Sequence, residues 1–185
     1  MAEKQLCLSV LILALTTLAN GSFICGIGNC WRLDIRPFVG TTQRIWTYNT
    51  SASSYIRCKV DQARNLSKTS IFFRRAYFYD EQHRWIAKNL EGLFSKKQKD
   101  VMQVRNQAHV FIDKEKILYL NMKYRCAVIK VTQAHLGWES YYELRLWDAW
   151  VKQGPHAKCV LQFARHTHKG KVIYGPFCDN ILHIK

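Results

Sequence analysis

Apolar and polar residues alternate along much of this chain. Positions 118–124 are apolar at every second residue, and 142–146 repeat the pattern with Glu143 and Arg145 on the opposite face. A period of two residues is that of a β-strand with one buried face. Further segments with strand character are 44–48, 55–60, 69–79, 84–88, 101–105, 108–112 and 127–132.

Polar clusters separate these segments and predict the turns between them. About eight antiparallel strands joined by short turns favour a closed up-and-down barrel, which leaves no exposed sheet edge. One helix is predicted over 155–166, because Gly154-Pro155 opens it and Cys159, Val160 and Phe163 form an apolar stripe. The fold class predicted is all-β, an eight-stranded antiparallel barrel with a C-terminal α-helix packed outside. The predicted turns are 49–54, 65–67, 80–81, 113–115 and 135–137.

The N-terminal segment has the pattern of a secretory signal. A short polar start with Lys4 precedes an apolar stretch over 6–15 and a run of small and polar residues ending at Gly21. The apolar stretch is too short to span a bilayer. We therefore predict a signal peptide over 1–21, one domain over 22–185, secretion to the extracellular space and no transmembrane anchor.

Composition narrows the class of protein further. The chain has 48% hydrophobic and 13% aromatic residues, which excludes a disordered chain. Its formal net charge is +15, which would draw it towards polyanions. We interpret the basic runs as solvated faces, with attraction to sulfated glycans or host cell surfaces as the alternative. Nucleic acid is not expected as a partner of a secreted barrel.

Secretion makes the cysteines and the sequons informative. Six cysteines follow the signal, and an oxidising compartment favours three disulfides, although the sequence alone leaves the pairing open. Asn49 and Asn65 each begin an N-x-S/T sequon in a predicted loop, so both are expected to carry glycans and to face solvent. The six cysteines are Cys25, Cys30, Cys58, Cys126, Cys159 and Cys178.

Motifs for catalysis are not found in the sequence. It contains no G-x-S-x-G, HExxH or P-loop motif, and the paired cysteines would leave no free thiol as nucleophile. The seven histidines are scattered, which argues against a metal site and against a ribonuclease acting through paired histidines. We predict a protein that is not an enzyme and holds neither metal nor cofactor.

The C-terminal third resembles the tick salivary lipocalins. The resemblance rests on the run 141–151, on Gly154-Pro155 with Cys159, and on the ending 174–178. Trp31, Trp46 and Cys58 agree with the earlier landmarks of that family. The resemblance implies the same barrel and helix, and disulfides Cys58–Cys178 and Cys126–Cys159. It leaves Cys25 and Cys30 to pair with each other, with a covalent dimer through one of them as the alternative.

The resemblance also bears on the ligand, because members of this family bind small host mediators inside the barrel. Amine-binding members have an acidic residue after the cysteine where this chain has Ala127, and an aromatic residue where it has Arg145. Arg145 would share a strand face with Glu143 and neutralise it. Histamine is therefore disfavoured, and a largely neutral, apolar interior is expected.

The predicted function is that of a secreted lipocalin that binds a small hydrophobic ligand and dampens host immune or inflammatory responses. The ligand would be a sterol such as cholesterol, a fatty acid or an eicosanoid, and the immunological role follows the resemblance to the Japanin-like branch. The alternatives are sequestration of histamine or serotonin, and a protein-binding immunomodulator without a ligand. A monomer or weak dimer is expected. The pocket residues expected are Trp46, Phe73, Arg75, Tyr77, Ala127, Ile129, Glu143 and Arg145.

Overall fold

The computed structural model describes residues 23–26, 29–134, 137 and 139–183, so the predicted signal segment lies outside the described residues. Strands dominate the described part of the chain. The helices are α1 (Arg36–Val39), α2 (Asp148–Val151) and α3 (Ala157–Ala164), and 3-10 turns cover Asp80–Gln82 and Pro176–His183. The strands are β1 (Phe23–Gly26), β2 (Asn29–Arg32), β3 (Ile45–Thr50), β4 (Ile56–Leu66), β5 (Ser70–Tyr79), β6 (Arg84–Phe94), β7 (Val101–Asn106), β8 (Phe111–Asn121), β9 (Cys126–Gln133), β10 (Ser140–Trp147) and β11 (Lys171–Val172).

Strands β3 to β10 form a closed antiparallel barrel. Each strand pairs with the next along the chain, and β10 returns to pair with β3, from Glu143 opposite Thr50 to Trp147 opposite Ile45. Closure satisfies the backbone groups that an open sheet would expose at its edges. The predicted eight-stranded barrel with a C-terminal helix outside is confirmed.

The N-terminal strands form a separate hairpin. In β1 and β2, Cys25 is the register partner of Cys30. The side chains of these two cysteines lie outside the described residues, so their disulfide stays a prediction.

Alternation along the strands sorts apolar residues into two clusters. On β9, Ala127 and Ile129 belong to the cluster inside the barrel, whereas Val128 belongs to the cluster outside it. Helix α1 closes one end of the interior: Phe38 is fully buried there, and the indole Nε1 of Trp147 donates to its carbonyl oxygen at 3.1 Å.

The outer cluster is covered by α3 and the C-terminal segment. The disulfide Cys126–Cys159 joins β9 to α3, and Cys58–Cys178 joins β4 to the last 3-10 turn. Both bonds are those that the family resemblance implied. Cys58 has a φ of 54° and lies where the register between β4 and β5 shifts. Its amide donates a hydrogen bond to the carbonyl oxygen of Ile173, just after β11. This bulge lets the C-terminal segment attach to the barrel wall.

Two predictions from the polar clusters are wrong. The predicted strands 108–112 and 118–124 overlap the two ends of one strand, β8, and the predicted turn at 113–115 lies within it. The physical reason is that Asp113 and Glu115 point into the barrel, where arginines pair with them.

The sequons also lie in strands rather than in loops. Asn65 is exposed near the end of β4. Asn49 is half-buried in β3, and its side-chain oxygen is buried without a hydrogen-bond partner among the described residues. The helices described here include none that is long and apolar enough to cross a membrane.

Candidate ligand site in the barrel

Charged side chains occupy the middle of the barrel interior. They come from inward-facing positions of four strands, and each exposes less than 15% of its side chain. Burial of charge is strongly unfavourable unless each charge is paired and hydrogen-bonded. The cations are Lys59, Arg75 and Arg145, and the carboxylates are Asp61, Asp113, Glu115 and Glu143.

Arg145 lies at the centre of this network. Its guanidinium donates two hydrogen bonds to Glu115, at 2.7 and 2.9 Å, and its Nε donates to Glu143 Oε2 at 2.7 Å. The neutralisation of Glu143 by Arg145 that the strand period implied is therefore seen directly. The two parallel bonds between Arg145 and Glu115 fix the relative orientation of these planar groups.

Arg75 holds the other carboxylates. It donates two hydrogen bonds of 2.7 Å to Asp61, one of 2.7 Å to Glu115 and one of 3.1 Å to Asp113. Both guanidinium groups of the network are thus occupied by protein carboxylates. A carboxylate on a ligand would have to displace one of them.

Lys59 is the third cation, and it is held less completely. Its Nζ donates to Glu143 Oε1 at 2.7 Å and lies 5.9 Å from the centre of the Tyr141 ring. Burial, together with the positive charge of Arg75, lowers the pKa of Lys59 despite the nearby Glu143. Its ammonium has further donor positions that no other described residue takes up.

The carboxylates differ in their titration. Burial alone raises the pKa of Glu115, but Arg145 and Arg75 outweigh it, and the pKa of Glu115 lies below its usual range. Lys59 and Arg145 likewise outweigh burial and lower the pKa of Glu143. For Asp113 burial prevails over the attraction of Arg75, so its pKa is raised. Of these three carboxyl groups, Asp113 protonates most readily.

A cavity of about 380 Å³ lies above the network and opens at the end of the barrel formed by the β3–β4 and β7–β8 connections. Its floor is charged and its walls are mostly apolar. Its size falls within the range of small-molecule sites, roughly 300–1,000 Å³. The floor carries Lys59, Arg75, Asp113 and Glu143, and the walls include Ile56, Tyr77, Leu90, Ile112 and Tyr141.

Lys88 lies at the mouth of the cavity. It lines the cavity but is exposed, and its Nζ is 5.9 Å from the centre of the Tyr77 ring. Among the described residues, the network below it has three cations and four carboxylates, so its formal charges leave one negative charge, which Lys88 faces from the mouth. The expected apolar interior is therefore wrong, because paired charges fill the middle of the barrel.

The structure brings together some of the predicted pocket residues and separates others. Arg75, Tyr77 and Glu143 line the cavity, and Arg145 lies in the network next to Glu143. The interior core contains Phe73, Ala127 and Ile129, which do not line this cavity.

Trp46 faces the outside of the barrel. It packs edge-on against Tyr174, and its indole Nε1 donates to Asp148 at 2.5 Å. It therefore contributes to the outer cluster and does not reach the cavity.

Sequence reasoning missed Lys59, Asp61, Asp113 and Glu115. The signal available was the alternation itself, since Lys59 and Asp61 share one strand face, as do Asp113 and Glu115. Asp113 and Glu115 were interpreted as part of a turn, and Lys59 and Asp61 were not singled out, because the sequence does not show their partners. Groups of three or more metal-binding side chains are absent from the described residues.

Comparisons with known proteins identify the fold of this chain but no protein of similar sequence. No protein-family model matches the sequence, and no curated protein matches it. Among solved structures, the chain is similar to Japanin from Rhipicephalus appendiculatus bound to cholesterol, with 11% identity and a TM-score of 0.55 over 72% of this chain and 92% of that one.

Two further solved structures have similar scores. The serotonin complex of AM182 has 15% identity and a TM-score of 0.58 over 84% of this chain and 97% of that one. The allergen Per a 4 from cockroaches has 10% identity and a TM-score of 0.58 over 84% of this chain and 98% of that one. At these identities the similarity shows the fold alone, and that fold is the lipocalin barrel.

Proposed function

We propose, starting from the lipocalin fold of this chain, that it is a secreted binding protein that carries a small hydrophobic ligand with an uncharged polar group, of the sterol class. The observation that carries this proposal is the cavity of about 380 Å³ with apolar walls above a floor of paired charges. An apolar body would lie against the walls, and a hydroxyl group would reach the floor.

The floor suits a hydroxyl better than a carboxylate. Among the described residues, Lys59 donates only to Glu143, and the Asp113 carboxylate accepts only from Arg75. Lys59 thus offers a donor to a hydroxyl oxygen, and Asp113 offers an acceptor to its proton. A ligand carboxylate would instead meet guanidinium groups that protein carboxylates already occupy.

Japanin, which has the same fold, is bound to cholesterol in its solved structure, and this supports the sterol class. Two disulfides support an oxidising, extracellular location. In that setting the protein would act on the host immune or inflammatory response, as the sequence resemblance to the tick salivary family implies.

Native mass spectrometry with cholesterol tests the proposal. Delipidated protein should take up one cholesterol per barrel. Ile112→Trp, which fills the cavity from its wall, should abolish the uptake, whereas Val160→Trp on the exposed face of α3 should leave it intact. Equal uptake by the two variants would place the sterol elsewhere and refute the proposal.

Sequestration of an amine is a second candidate, and Asp113 favours it. This carboxylate lines the cavity, accepts a single hydrogen bond from the described residues and could pair with an ammonium group. The serotonin complex of AM182 has the same fold. In calorimetric titrations with serotonin and histamine, submicromolar binding lost in Asp113→Asn would support this candidate over the sterol.

A further inference from the structure

Lys59 has the surroundings of a reactive amine. Its side chain is 8% exposed, yet it lines the cavity, so a bound ligand would contact it. Lysines become nucleophiles where burial or a neighbouring cation favours the neutral amine. Here both conditions are met, since the lysine is buried and shares the cavity floor with Arg75.

Glu143 provides a partner for proton transfer. Its Oε1 lies 2.7 Å from Lys59 Nζ, which is within hydrogen-bonding reach. The same carboxylate is fixed from its other side by Arg145, which donates to Oε2 at 2.7 Å. A base held on both sides keeps its position while the amine reacts.

We propose that Lys59 forms a reversible imine with hydrophobic aldehydes that enter the cavity, so that the barrel captures reactive carbonyl compounds. This inference rests on the proposed function, because the aldehyde must first occupy the same apolar cavity. It adds a covalent step to that function and assigns the step to one side chain.

The step balances in atoms and charge. Glu143 takes a proton from the Lys59 ammonium, and the freed lone pair attacks the carbonyl carbon, forming a C–N bond as the carbonyl pair moves to oxygen. The oxygen leaves as water with two protons from the nitrogen, and a C=N bond remains. Glu143 then returns its proton to the imine nitrogen, which makes the product a cationic iminium. A positive charge therefore still faces Glu143, and the total charge of the buried network is unchanged.

The other lysines serve as internal comparisons. Lys97 lies exposed in the connection between β6 and β7, where its amine is solvated. Lys88 is at the mouth of the cavity and is exposed as well. Neither combines burial with a carboxylate partner among the described residues, so neither should react as fast as Lys59.

Trapping with decanal tests the proposal. The full mature protein is incubated with decanal and sodium cyanoborohydride, which reduces an imine to a stable amine with the mass of the aldehyde less one oxygen. Peptide mapping should show Lys59 labelled at least about tenfold faster than Lys97 and Lys88, as expected for an activated lysine. Lys59→Arg should lose this fast labelling, and Lys97→Arg should keep it.

The outcomes separate this proposal from the proposed function. 1-Decanol, which has the same chain and no carbonyl group, should compete with bound sterol. If decanol competes and Lys59 is labelled no faster than Lys97, covalent capture is overturned while ligand binding stands. If decanol does not compete and no fast labelling occurs, both are overturned. The comparison of sites in the unmodified protein decides the matter even where Lys59→Arg does not fold.

Discussion

Replacing Arg145 by methionine should destabilise the barrel strongly. Arg145 is 1% exposed and makes three hydrogen bonds to two carboxylates, Glu115 and Glu143. Hydrogen bonds to charged groups contribute about 1.5–3 kcal/mol each, but Arg75 and Lys59 would remain beside the two carboxylates. We therefore expect the loss in the free energy of unfolding to be about 3–5 kcal/mol, as for other broken buried ion pairs.

Urea unfolding followed by tryptophan fluorescence measures this loss. At an unchanged m-value, the midpoint should fall by about 2 M. The matched control is Arg105→Met, which removes an ion pair of 2.6 Å with Glu91 on the outer face of the barrel. Because Arg105 is partly exposed, Arg105→Met should lower the free energy of unfolding by only about 1 kcal/mol or less. An Arg145→Met midpoint no lower than that of Arg105→Met would refute the buried network as a source of stability.

Three further predictions follow from local geometry. After expression through a eukaryotic secretory pathway, glycosidase treatment should release one glycan, from Asn65 and not from Asn49, whose side-chain oxygen is buried. A glycan on Asn49 would contradict its placement in β3. Gly170→Ala should lower the free energy of unfolding in urea by about 1–3 kcal/mol, because the Cβ of the alanine would lie 2.5 Å from the Phe163 ring. An unchanged urea midpoint would contradict this packing. Because the pKa of Glu115 is lowered in the folded state, the stabilisation by this carboxylate is present above about pH 4 and is lost as the pH falls further. Glu115→Gln should therefore flatten the acid limb of a plot of unfolding free energy against pH. An equally steep acid limb in the variant would argue against this role of Glu115.

The barrel could be predicted because its pattern is local. Alternating residues and a proline at a helix start each reflect the backbone conformation of a few neighbours. Segment 113–115 shows where this reasoning ends. Acidic residues predict a turn when they face water, and only the fold brings Arg75 close enough to Asp113 and Glu115 to keep them inside β8.

The candidate site was predicted only in part, for the same reason. Glu143 and Arg145 are two residues apart on one strand, so their pairing follows from the strand period. The partners of Lys59 and Arg75 come from distant strands, and their placement depends on barrel closure and on register. Trp46 was assigned to the pocket, but the register turns it outwards, against Tyr174.

A fluorescence titration with a fluorescent sterol tests the central claim most directly. The cavity above the charged floor predicts saturable binding of one sterol per barrel, displaced by cholesterol and not by serotonin. Absence of saturable binding, or displacement by serotonin at submicromolar concentration, would contradict a site built for an uncharged hydrophobic ligand.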